Sequence, residues 1–217
     1  MLIGGAAIIE SYGFREMTTD VDALLPDISI MKEAINHVGD ELQLPNGWLN
    51  ADFMKTSSYS KKLALYSVPY KTFYQVLNVR LMTGEYLIAM KLRAGRRYKN
   101  DLSDIIGILS EHQARGIPIS FEQIDKAVDN LYGGWEQFPD GMLSYIQQAV
   151  VIPDLVKAYE DIRKSEQQTE TRLIQLEEND LHALSQQSME KAIDRVSEPM
   201  QTLTALLEIL QNKQENL

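Results

Sequence analysis

Apolar residues recur first at short, mixed spacings and later at the three-and-four steps of helices. Residues 1–3 read as the end of a short buried strand, with Gly4-Gly5 as the turn after it. The next eight residues, AAIIESYG, predict a short helix with Ala6, Ile9 and Tyr12 inward and Gly13 as its stop. DVDALL starts with the alternation of a strand, which Pro26 ends. Ser29 is placed to cap a helix running to about Leu42, with Ile30, Ala34, Ile35, Val38 and Leu42 at core spacing. Residues 45–60 hold Pro, Gly, Asn and a Ser cluster and read as irregular. Two strands are expected next, LALYSV and FYQVLNVRLM, separated by Pro69.

Helices are expected from there on. Gly84 precedes EYLIAMKLRAG, Asn100 is placed to cap DLSDIIGILSEH, and Ser120 precedes FEQIDKAVDNLY. Beyond Asp154, Leu155, Tyr159, Ile162, Thr169, Leu173 and Leu176 fall on one stripe that Glu166 interrupts, which predicts a long amphipathic helix. A last helix is expected over residues 197–210, with Pro199 in its first turn and Met200, Leu203, Leu207 and Leu210 on one face. The order implies an α+β fold: a small mixed sheet with helices over residues 1–112, then an all-helical region over 113–217.

Composition narrows the class. A hydrophobic fraction of 44% and a charged fraction of 24% are those of an ordinary globular protein. No stretch reaches the ~20 apolar residues that span a membrane, and the apolar N-terminus lacks a basic leader. The absence of cysteine excludes disulfides, thiolate metal sites and a cysteine nucleophile, and suits a cytoplasmic location. A net charge of −10 argues against a general nucleic-acid coat, though not against a local basic patch.

Asp20 and Asp22 are the first candidates for chemistry. Residues two apart in a strand point to one face, and two carboxylates there stay ionised only with solvent or a cation between them. Mg²⁺ is the natural cation, because it takes hard oxygen ligands and joins carboxylates to phosphates. Alone, such a pair is usually a solvated strand end. Gly4-Gly5 adds a turn where backbone can approach a phosphate, followed by a helix N-terminus. A phosphate cradle facing a metal pair is what nucleotidyl transfer needs. Lys91, Arg93, Arg96, Arg97 and Lys99 form a basic run that reads either as an exposed helix end or as a group meeting a triphosphate. His37, His112 and His182 lack ligand spacing and read as ordinary surface or core histidines. Tyr132-Gly133-Gly134-Trp135 reads as a turn with a core aromatic, a stacking role being the alternative.

The segment GGAAIIESYGFREMTTDVDAL resembles the opening motif of the nucleotidyltransferase superfamily, in particular a minimal bacterial branch related to AbiEii-type toxins. Arg15, Thr18, Thr19, Asp20 and Asp22 stand at the matching places, with one extra residue after Arg15. The branch's later motifs correspond to Lys91-Leu92-Arg93-Ala94-Gly95-Arg96 and Asp101-Leu102-Ser103-Asp104-Ile105, so the resemblance covers residues 1–112.

This resemblance implies a nucleotidyltransferase-like domain that moves a nucleoside monophosphate from an NTP to an acceptor, with RNA or a protein as acceptor. A toxin role opposite an antitoxin is implied too. Asp20, Asp22, Lys91 and Asp101 would be catalytic, and Asp20 and Asp22 would hold Mg²⁺ or Mn²⁺. Gly4, Gly5, Thr19 and Arg96 would bind nucleotide, and Asp101 would orient Lys91 or act near the metal. Gly95 would allow the bend between two helices, and the C-terminal helices would support a homo-oligomer.

Three departures bear on activity. Asn78 stands on the strand where many members carry a third carboxylate, so either one metal suffices or the site is degenerate. Gly-Gly replaces the usual Gly-Ser, and the sequence opens almost on a strand that the branch generally precedes with a helix. The alternative reading is a catalytically degenerate member that binds nucleotide or a protein partner.

Overall fold

The structure is a computed structural model that describes residues 1–25, 28–96 and 99–179. It is mixed α+β. In order come α1 (Gly4–Ser11), β1 (Val21–Asp22), α2 (Ile28–Glu41), β2 (Leu49–Asn50), a 3-10 turn (Asp52–Lys55), α3 (Leu63–Tyr66), β3 (Ser67–Phe73) and β4 (Leu77–Met82). Helices α4 (Gly84–Ala94), α5 (Asp101–Ala114), α6 (Phe121–Tyr132), α7 (Met142–Ala149) and α8 (Leu155–Asn179) follow. No helix among the described residues is long and apolar enough to cross a membrane. Pro26, Arg97, His182 and the helix expected over 197–210 lie outside the described residues.

The chain divides into two compact units, each drawn from two stretches: Met1–Ala94 with Glu122–Gln137, and Gly95–Phe121 with the chain from Phe138 onward. Their bounds in the sequence fall after residues 94, 121 and 137.

In the first unit, β1 pairs in parallel with β2, and β3 pairs antiparallel with β4. Residues 1–3 join the two pairs. Leu2 bridges Ala23, and the Ile3 N–H donates to the Asp22 carbonyl at 3.0 Å. On the other side the Leu2 N–H donates to the Arg80 carbonyl at 3.0 Å. The segment that ends at Gly4 therefore lies between β1 and β4. Ala6, Ala7 and Ile8 of α1 are buried together with Ile3 and Tyr12, whereas Ile9, expected inward, is half-buried.

Several expectations fail for reasons of context. The LALY of LALYSV is helix α3, and β3 begins at Ser67 and runs through Pro69. FYQVLNVRLM is not one strand but the end of β3, a turn and β4. Along α2, Ala34 is exposed and Leu42 is 62% exposed, so that helix does not bury the expected stripe. Trp48 holds it instead: the indole N–H donates to the Ile35 carbonyl at 3.1 Å. Residues 45–60, expected to be irregular, contain β2 and the 3-10 turn.

The later helices follow their periodicity more closely. Ile124, Ala127, Val128 and Leu131 of α6 are buried, as are Met142, Tyr145, Ile146 and Ala149 of α7. Each of the Ile, Val, Leu and Met side chains among them contributes roughly 1.5–3 kcal/mol. Polar bonds tie α6 into the first unit. The Ser60 hydroxyl donates to the Leu131 carbonyl, the Tyr132 hydroxyl to the Ser58 carbonyl, and the Asn130 amide to the Tyr86 hydroxyl, each at 2.7 Å.

In the second unit Asn100 occupies the position before α5, but its side chain does not cap the helix. Glu166 of α8 does so, accepting the N–H groups of Leu102 at 2.9 Å and Ser103 at 3.4 Å. The residue that interrupts the α8 stripe is thus buried along with Leu155 and Ile162.

Candidate functional site

Gly4 opens α1 in the left-handed conformation, with φ +61°. A side chain is costly there, and the site is tight: a Cβ on Gly4 would meet the Asp22 carboxylate at 3.1 Å, so that carboxylate would have to shift by a few tenths of an ångström. A Cβ on Gly5 would come within 2.6 Å of the Thr18 hydroxyl and 2.9 Å of an Arg15 guanidinium nitrogen. The Gly-Gly turn, the acid of β1 and two residues of the intervening loop therefore meet at the end of adjacent strands. Ile3, before the first turn of α1, offers no capping side chain, and a carboxylate near that turn is favoured by the helix dipole.

Asp22 is half-buried in β1, and Asp20, also half-buried, lies in the bend leading into it. Thr19, expected to bind nucleotide, is exposed, and its neighbour Thr18 is the one against Gly5. Arg15 is fixed in part by its Nε, which donates to the Met17 carbonyl at 3.1 Å. Thr18 and Arg15 enter the sequence reading only as matching positions. Their spacing from Gly4-Gly5 was the signal that could have promoted them.

Lys91 is half-buried on α4, in the same unit as Gly4, Gly5, Asp20 and Asp22. Gly95 ends that helix with φ +54°, the left-handed residue a helix terminus commonly uses. Arg96 and Asp101 belong to the second unit. Asp101 is fully buried, and both its oxygens accept from Arg96: Oδ2 from the backbone N–H at 3.2 Å and Nε at 2.8 Å, Oδ1 from Nη2 at 3.2 Å. This fork fixes the first turn of α5 against the residue after Gly95.

Asn78 is exposed on β4, where its Oδ1 accepts the Thr72 hydroxyl at 2.7 Å. His37 lies 4.0 Å from Glu41, and the His112 ring nitrogen lies 3.3 Å from the Ile117 carbonyl. Trp135 donates from its indole to Asp125 at 2.7 Å. No group of three or more His, Cys, Asp or Glu side chains among the described residues is arranged to hold a metal ion. Asp20 and Asp22 are hard carboxylates of the kind Mg²⁺ takes, but Asp20 lies in the bend before β1 and not on the strand face that the sequence predicts it to share with Asp22.

Comparison with protein-family models, curated proteins and solved structures finds no match for the chain.

Proposed function

We propose that the protein is a cytoplasmic Mg²⁺-dependent nucleotidyltransferase that moves a nucleoside monophosphate from an NTP to an acceptor on RNA, as the toxin of a toxin–antitoxin pair. One observation carries this reading: Asp22, Thr18 and Arg15 gather over Gly4-Gly5 at the N-terminus of α1. Backbone N–H groups there suit phosphate oxygens. Arg15 adds a planar cation that suits the same ligand. Asp20 and Asp22 would hold Mg²⁺, which supplies neutralisation of phosphate charge, and Lys91 would add a further cation. Such chemistry depends mostly on positioning and charge, so few residues are needed.

A second reading has its own support. Two carboxylates rather than three, with Asn78 bonded to Thr72, favour a degenerate site that binds nucleotide without transferring it.

Incubation with each α-labelled NTP, Mg²⁺ or Mn²⁺ and total tRNA tests both. Transfer of label that disappears in an Asp20→Ala/Asp22→Ala variant is the expected result. Metal-dependent NTP binding without transfer selects the degenerate reading. Neither binding nor transfer sinks both.

A further inference from the structure

From Phe53 to Gly84 the sequence has no Asp or Glu, yet holds Lys55, Lys61, Lys62, Lys71 and Arg80, in a chain where acids outnumber bases 31 to 21. Three of that stretch's aromatic residues, Tyr70, Phe73 and Tyr74, lie on one structure, the β3–β4 hairpin. Its base is buried at Ser67, Leu81 and Met82, and β3 beyond Ser67 is exposed along its length. Val68, Tyr70, Phe73 and Leu77 face solvent, and at the tip Tyr74 is 96% and Val76 84% exposed. A two-stranded ribbon is marginal by itself, and large apolar side chains exposed along one suit a partner.

The cations select the partner. Lys55 is paired with Asp52, and Arg80 is turned to Ser67, its Nε donating to the hydroxyl at 2.7 Å. Lys61, Lys62 and Lys71 are exposed, and among the described residues no carboxylate pairs with them. Lys71 and Phe73 share a face, with the ammonium 4.8 Å from the ring centroid, and Val79 and Leu77 stand opposite them across the ribbon. Exposed rings beside Lys71, on a ribbon that contributes no acid of its own, suit a chain of bases and phosphates better than an uncharged protein surface.

The hairpin is also joined to the site. β4 bonds to the segment ending at Gly4, and the Tyr70 hydroxyl donates to Glu10 of α1 at 2.5 Å. Resting on the nucleotidyltransferase reading for its purpose, we propose that this hairpin is the acceptor-binding arm. It takes single-stranded RNA, with bases stacked on Phe73 and Tyr74 and a phosphate on Lys71.

The test is fluorescence anisotropy with a labelled single-stranded RNA oligonucleotide, a DNA strand of the same sequence, and an RNA duplex. The full chain is compared with Phe73→Ala/Tyr74→Ala, Lys71→Glu and Asp22→Ala, with circular dichroism confirming that each variant folds. Expected are preference for single strands, affinity weakened about tenfold or more by the aromatic double variant, and a shallower salt dependence in Lys71→Glu. Equal affinity for the DNA strand supports the stacking arm and assigns choice of acceptor elsewhere. Unchanged RNA affinity in folded hairpin variants overturns the proposal, as does a change confined to oligomeric state or to capture of a protein. Hairpin-dependent RNA binding without NTP transfer leaves the arm standing and removes the activity. Asp22-dependent transfer with hairpin-independent RNA affinity does the reverse.

Discussion

Glu166 sits on the buried stripe of α8, where periodicity calls for an apolar residue, and it is only 4% exposed. Removal from water pushes its pKa up to about 8, and Asp101 adds to the rise, while bonds from Ser103 and the Leu102 N–H oppose it. The buried Tyr145 faces the same carboxyl, and its hydroxyl donates to the Leu102 carbonyl at 3.1 Å. The folded chain therefore holds a proton that the unfolded chain releases near its ordinary value of 4.5. Stability from this group is full below that value, declines as pH rises toward about 8, and levels off beyond. The slope is at most about 1.4 kcal/mol per pH unit. Glu166→Gln keeps an acceptor for the Leu102 N–H but cannot ionise. Its melting temperature should gain on the wild type as pH goes from about 5 to about 8, and parallel curves would refute a buried titration. The interruption of the stripe was visible in the sequence. Its reason was not, because the capped N–H groups lie 64 and 63 residues away.

At the scale of elements, the α1 turn and the β3–β4 turn use left-handed backbone in opposite ways. Gly4 is glycine where geometry demands it, so Gly4→Ala should cost about 1–2 kcal/mol in urea unfolding and displace Asp22. Gly5→Ala should retain most stability but press on Thr18 and Arg15, and the measurement is weakened metal-dependent NTP binding at near-normal melting temperature. The hairpin turn places Tyr74 at φ 49° and Gln75 at φ 60° without a glycine. Gln75→Gly should therefore stabilise the protein by about 0.5–1 kcal/mol, and the same change leaves the Tyr74 ring in place. These turns also mark what could be read beforehand. Gly4-Gly5 followed by Asp20-Val21-Asp22 announced a glycine turn and an acid-bearing strand, which the structure brings side by side. A turn built from Tyr, Gln and Val sends no signal, so β-branched and aromatic residues on both sides merged into one expected strand.

Across the whole molecule, the order of elements and the reach of the resemblance suggested a boundary after residue 112. Contacts follow a different path. α6 returns to the first unit, where residues 44 to 74 positions earlier receive or donate its hydrogen bonds. Local periodicity identifies α6 as an amphipathic helix but cannot say which unit its apolar face will join. A fragment of residues 1–112 should accordingly lack the helix that covers part of its own core, and should show little cooperative unfolding and poor amide dispersion by NMR. Residues 1–94 connected by a flexible linker to residues 122–137 should recover both properties, because every bond named for α6 is then present. A cooperative transition in the 1–112 fragment equal to that of the linked one would mean that α6 is dispensable. The boundary after residue 112 would then describe the folding unit better than the contacts do.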